Sequence, residues 1–139
     1  LQAAILRVKL RHLPAWDEER RLRVRAYDEA LADLPGVTLP REAEGVRSAW
    51  HLYTIRTRER DALARHLEAK GIATVVHYPR PIHLQPAMAA AGGGAGDLPV
   101  SERLSREVLS LPLYAELPLE SVARIAAEVR AFCTSLVRG

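Results

Sequence analysis

Apolar residues recur at Leu1, Ala4, Ile5 and Val8 with i, i+3, i+4, i+7 spacing, which predicts that the chain opens inside a helix. No Ser, Thr, Asp or Asn precedes that stripe to cap it. The chain is therefore expected to be a piece of a longer protein. Pro14 breaks or kinks the helix. Val24, Tyr27, Leu31 and Leu34 then carry one face onward until Pro35-Gly36 stops it. Residues 37–39 are a short extended candidate, and 41–47 form a polar connection. From Ala49 to Thr57 the pattern alternates as a strand does, with Trp50, Leu52 and Thr54 on one face and His51, Tyr53 and Ile55 on the other. Thr57 is the candidate cap of a helix that buries Leu63 and Leu67 and ends at Lys70-Gly71. Ile72-Ala73-Thr74-Val75-Val76 reads as a buried strand.

Beyond a proline-rich run, Leu84 to Ala91 is a short helix candidate and Gly92 to Gly96 a flexible connection. That connection lacks the spacing of a phosphate cradle. A helix begins near Pro99 with Leu104 and Val108 inward, and Ser110 to Tyr114 is an extended exit. The last helix starts near Pro118, where no Ser or Thr cap stands. It carries the clearest stripe: Val122, Ile125, Ala126, Val129, Phe132, Cys133 and Leu136. The sum is an α+β fold of two or three short strands covered by helices. A long kinked helix over residues 1–34 leads into a small domain over residues 35–139.

Bulk composition narrows the class of protein. The 139 residues suffice for one core, and 48% apolar with 27% charged residues is the balance of a soluble globular protein. No apolar run approaches the roughly 20 residues that span a bilayer, and no signal peptide heads the chain. Cys133 is the single cysteine. It cannot form an internal disulfide, which fits a reducing, cytoplasmic setting, and it reads as a small core residue. The net charge is +3, nearly all of the positive charge arginine, with Lys9 and Lys70 the only lysines. The arginines alternate with Asp and Glu and no aromatics cluster among them. That is a solvated surface rather than a nucleic-acid interface.

Residues 77 to 86, His-Tyr-Pro-Arg-Pro-Ile-His-Leu-Gln-Pro, hold the densest chemistry. Pro79, Pro81 and Pro86 fix their own φ and hold Tyr78 and Arg80 extended. Polar groups just after a strand are a common small-molecule site. His77 and Tyr78 offer hydrogen bonds to anionic oxygens, or lock the loop to its own backbone. Arg80 suits bidentate phosphate contact, or is an exposed charge. His83 and Gln85 shape the loop. His77 and His83 lack the interleaved carboxylates and the spacing of a zinc site. His51 and Tyr53 either border the site or anchor the sheet. Trp16 and Trp50 read as core or subunit contacts.

Several segments in order carry a resemblance. They are Leu1-Gln2-Ala3-Ala4-Ile5 with Lys9-Leu10, His51-Leu52-Tyr53, and Arg60-Asp61 with Leu63 and Leu67. There follow Lys70-Gly71-Ile72, His77-Tyr78-Pro79-x-Pro81-x-His83-x-Gln85-Pro86, Leu98-Pro99 with Ser101-Glu102, and Ser110-Leu111-Pro112-Leu113. In this order the chain resembles the C-terminal part of the DegT/DnrJ/EryC1/StrS family, fold-type-I aminotransferases that use pyridoxal 5'-phosphate on nucleotide-linked keto-sugars. The resemblance implies a small C-terminal domain that helps close the substrate pocket through His77, Tyr78, Arg80, His83, His51 and Tyr53, and that supports a homodimer. It implies a Schiff-base lysine upstream, outside this chain. Neither Lys9 nor Lys70 matches that motif, so the chain alone is expected to bind no cofactor covalently and to be inactive by itself. Two alternatives stay open: a stand-alone nucleotide-sugar-binding or subunit-interaction module, and part of a related dehydratase in which histidine replaces the lysine.

Overall fold

In the computed structural model, which describes residues 1–137, Pro14 shapes the N-terminal segment. It has no N–H to offer the carbonyl of Leu10. Helix α1, Gln2–Leu10, gives way through Arg11 and His12 to α2, Leu13–Ala30, with Pro14 in its first turn. α2 ends four residues short of Leu34, where the sequence pattern carried it. Pro35 disfavours helical backbone at Leu34, and Asp33 and Gly36, with φ of 54° and 78°, turn the chain.

Val24, Tyr27, Leu31 and Leu34 are buried, as their spacing predicts. They pack on α5, Leu119–Val137, and share one core with the sheet and with α3, Arg60–Ala69. The core thus runs straight across the expected boundary at residues 34–35. On α5 the inward face is Val122, Ile125, Ala126, Val129 and Cys133. Phe132 is half-buried, and Leu136, expected inside, is exposed. Leu63 and Leu67 of α3 are fully buried. Gly71 closes that helix in the left-handed region (φ 70°). Thr57 does not cap it at the expected place. Its Oγ1 accepts from the Glu59 N–H (3.3 Å) and the helix starts at Arg60.

The sheet is antiparallel and two-stranded, β1 Tyr53–Arg56 against β2 Val108–Leu111, with Thr54 opposite Ser110 and Ile55 opposite Leu109. One bridge widens it on each edge, Thr38 to Arg56 and Val75 to Ser110. Residues 72–76 therefore supply one bridged residue rather than a strand. β1 is also shorter than the alternation from Ala49 to Thr57 predicts, because Trp50 adopts a left-handed backbone (φ 47°). That reverses the phase. Trp50 and Tyr53, expected on opposite faces, are both buried with ring centroids 6.3 Å apart, while His51 and Leu52 are exposed.

Two arginines tie the shell to the core. Arg23 of α2 donates from Nε to the Leu117 carbonyl (2.6 Å) and pairs with Glu19. Arg60 donates to the carbonyl of Ser105 (3.2 Å) at the end of α4, Pro99–Glu107. α4 turns Glu102 and Ser105 inward, whereas Leu104 and Val108, expected there, are half-buried. Between Val76 and α4 the chain makes two short 3₁₀ turns, Ile82–Leu84 and Pro86–Ala91. The α-helix expected over 84–91 does not form. Pro86 disfavours helical backbone at Gln85, which is extended (φ −73°, ψ 141°), and Gly92 (φ 81°) ends the second turn.

Candidate functional site

The Val75–Ser110 bridge is what places the proline-rich loop. The Val75 N–H donates to the Ser110 carbonyl (3.2 Å), and the Ser110 N–H donates to Val75 (2.8 Å). Two residues on, His77 Nδ1 lies 3.0 Å from Ser110 Oγ. That hydroxyl lies 2.9 Å from Thr54 Oγ1 on the neighbouring strand. His77 Nε2 has no hydrogen bond among the described residues. The Tyr78 ring meets the imidazole edge-on, centroids 5.5 Å apart, and is 74% exposed. Arg80 is exposed as well. The loop beneath is held by the Gln85 side-chain amide, which donates to the Arg80 carbonyl (3.3 Å).

His83 plays a different part. Its Nε2 lies 3.1 Å from Glu102 Oε1, and the same oxygen accepts the Gly96 N–H (2.7 Å). Glu102 is only 9% exposed. The hydrogen bond from His83, then that from Gly96, holds its carboxyl below the ordinary glutamate range. An ionised carboxylate only accepts, so His83 Nε2 carries the proton. The His83–Glu102 contact fastens the proline-rich loop and the glycine connection to α4. Gly93 packs against His83, where an added Cβ would meet His83 Cβ at 3.4 Å. The 92–96 segment is thus pinned at two points rather than loose.

Tyr53 leaves the candidate wall. Its ring is 0% exposed and stacks on Tyr27 with centroids 4.8 Å apart. Its hydroxyl donates to Asp28 Oδ1 (2.7 Å), and burial followed by that bond pushes the phenol well above its usual value. It anchors the core. His51 sits exposed ahead of β1, and no hydrogen bond or ring contact among the described residues joins it to the loop. Of the six candidates, the structure brings together His77, Tyr78 and Arg80, with His83 as their fastening.

No group of three or more His, Cys, Asp or Glu among the described residues could hold a metal ion. None of the helices described is long and apolar enough to cross a membrane. Lys9 lies on α1, which buries no residue. Lys70 ends α3 with its Nζ 3.8 Å from Glu128 and half exposed. Neither sits at the loop. Four open grooves of about 690, 610, 580 and 300 Å³ lie elsewhere, none lined by residues 77–86. On the loop itself Tyr78 and Arg80 stand exposed.

Two residues of the wall's support went unseen in the sequence. The sequence pattern puts Ser110 on an extended segment and Thr54 in a strand, but only the register sets one opposite the other. The signal available was the hydroxyl at the start of Ser110-Leu111-Pro112-Leu113 and another at an alternating position of β1.

The chain belongs to the DegT/DnrJ/EryC1/StrS aminotransferase family, whose sequence profile matches residues 1–130. It is 47% identical over 131 residues to the erythromycin biosynthesis sensory transduction protein EryC1 of Saccharopolyspora erythraea, covering 94% of this chain and 36% of that protein. It is 44% identical over 130 residues to a dTDP-3-amino-3,4,6-trideoxy-alpha-D-glucose transaminase of Streptomyces venezuelae, covering 94% of this chain and 34% of that protein. Among solved structures, DesV of S. venezuelae superposes with a TM-score of 0.92 at 43% identity, over 95% of this chain and 36% of that one. DesI, solved in the presence of its TDP-sugar product, superposes with a TM-score of 0.79 at 29% identity, over 90% of this chain and 33% of that one. The chain spans about a third of the length of the curated relatives it matches.

Proposed function

We propose that this chain is the C-terminal part of an aminotransferase that places an amino group on a nucleotide-linked keto-sugar, and that His77, Tyr78 and Arg80 form one wall of its substrate pocket. The observation that carries the reading is the loop itself. Three prolines fix it, His77 Nδ1 is bound to the sheet, and Nε2, the Tyr78 hydroxyl and the Arg80 guanidinium are left for a ligand. All three groups donate hydrogen bonds, which suits the oxygens of a sugar and a diphosphate. Similarity to a dTDP-sugar transaminase and to a structure solved in the presence of its TDP-sugar product supports that ligand class.

In such enzymes pyridoxal phosphate supplies the electron sink through which an amino group moves. The lysine that holds it belongs to another part of the protein. This chain's share is to bind and orient the sugar nucleotide. The exposed apolar residues of α1 support the same picture. Leu1, Ile5 and Val8 lie on one side, Leu6 and Leu10 on the opposite side, and all are at least half exposed. A helix apolar on both sides is built to be buried on both. The two covers fit the cofactor-binding domain and a second subunit of a homodimer.

The test is steady-state kinetics on the intact protein with pyridoxal phosphate, L-glutamate and a dTDP-linked keto-sugar. His77→Asn and Tyr78→Phe are each expected to raise KM for the sugar nucleotide on the order of tenfold, the loss of one or two hydrogen bonds to a charged ligand. KM for glutamate stays unchanged. Absence of amino transfer to nucleotide-linked keto-sugars, or variants that disturb only the glutamate side, would overturn the reading.

A further inference from the structure

The hydroxyls of Ser110 and Thr54 do more than pair two strands. Register sets them directly opposite each other, and Ser110, 4% exposed, also faces His77 across the sheet edge. One short line of hydrogen bonds therefore runs Thr54 Oγ1, Ser110 Oγ, His77 Nδ1, at 2.9 and 3.0 Å. We propose that Thr54 and Ser110 are positioning residues that hold the His77 imidazole as one tautomer, Nδ1 accepting and Nε2–H donating toward the substrate's anionic oxygens. The last clause rests on the function proposed above. The choice of tautomer rests on it too, because the ligand supplies the acceptor for Nε2–H.

Proton accounting gives the direction. Each hydroxyl has one proton to donate. If Thr54 donates to Ser110 and Ser110 donates to His77 Nδ1, both hydroxyl protons are used and the remaining N–H of the ring is on Nε2. The reverse order has His77 Nδ1–H donating to Ser110 and Ser110 donating to Thr54. The Thr54 proton then has no acceptor among the described residues, and a bare lone pair on Nε2 faces the ligand. Each order leaves one donor without a protein partner, Nε2–H in the first and the Thr54 hydroxyl in the second, so what faces Nε2 decides between them. A bare lone pair would repel a phosphate oxygen, whereas Nε2–H binds it. A cross-strand hydroxyl pair that only stabilised the sheet would leave the imidazole tautomer indifferent to either residue.

The experiment uses the full chain labelled with ¹⁵N-histidine, at a pH where the imidazoles are neutral. Long-range ¹H–¹⁵N correlations identify which ring nitrogen carries the proton, and His77→Gln assigns the signal. The wild type is expected to show His77 as a single Nε2–H tautomer. Ser110→Ala is expected to shift the tautomer ratio about fivefold toward Nδ1–H, the worth of one neutral hydrogen bond, and Thr54→Val less. Thr54 is half-buried and Val has its shape, so this variant keeps the test open should Ser110→Ala fail to fold. An Nδ1–H wild type, or a ratio identical in wild type and in the folded variants, would overturn the proposal. Titration with dTDP-glucose separates the two claims. A single Nε2–H tautomer whose Nε2 signal ignores saturating dTDP-glucose contradicts the substrate-wall reading while upholding the positioning pair.

Discussion

α5 and α1 both carry apolar residues at helical spacing, and they end in opposite circumstances. On α5 the stripe from Val122 to Cys133 is buried against α2, α3 and the sheet. On α1 no residue is buried. The difference teaches what a hydrophobic pattern encodes. It states that a face is built to be covered, and nothing in the spacing says by what. α5 finds its cover within residues 13–137. α1, with apolar residues on opposite sides, is covered by none of the described residues.

The largest expected effect tests that contrast with one chemical change made twice. Ile125→Ala removes a side chain that is 4% exposed and should cost about 2–5 kcal/mol. Ile5→Ala removes one that is 50% exposed and should stay within about 0.5 kcal/mol in this chain. Urea unfolding with an unchanged slope reads both. Equal losses would mean that α1 is already covered in solution, as in a dimer of this chain.

A second, smaller effect sharpens the contrast between the core and the exposed loop. Tyr53→Phe deletes the hydroxyl that donates to Asp28 (2.7 Å) and should cost about 1 kcal/mol. It should leave the KM for the sugar nucleotide of the intact enzyme unchanged. A raised KM with unaltered stability would return Tyr53 to the substrate wall.

The smallest effect concerns the fastening of the loop. The Glu102 carboxyl sits below its ordinary range because His83 and the Gly96 N–H bind the charged form. A lowered folded value contributes stability that is complete above the unfolded value of about 4.3. It is lost as pH falls through the folded value. Thermal unfolding followed from about pH 6 down to about pH 3 should therefore show part of its acid sensitivity removed in Glu102→Gln. An identical acid profile in the two proteins would show that His83 and Glu102 are not coupled.

Much of the core could be read from the sequence because it repeats simple periods. Val24, Tyr27, Leu31 and Leu34, the pair Leu63 and Leu67, and the α5 stripe as far as Cys133 all kept their helical phase. The β elements were harder. Alternation fails at Trp50, whose left-handed backbone no pattern announces and which joins Tyr53 in the core, while Tyr53 and Ile55 keep the common face their spacing predicts, and Tyr53 anchors the sheet rather than bordering the site. Residues 72–76 looked like a strand because they are apolar, yet only Val75 is bridged, since the chain must turn at once into the prolines. The loop was visible as a concentration of chemistry. Its division of labour was not, because His83 meets Glu102, nineteen residues away, and His77 meets Ser110, thirty-three away. Those pairings are set by tertiary register, and a linear pattern does not contain it.

The most direct test of the central claim is the structure of the intact protein with a dTDP-linked sugar bound. The account predicts a sugar or diphosphate oxygen within hydrogen-bond reach of His77 Nε2 or the Tyr78 hydroxyl, about 3 Å, with His77 Nδ1 still on Ser110. A ligand bound elsewhere, with His77, Tyr78 and Arg80 all facing water, would contradict it.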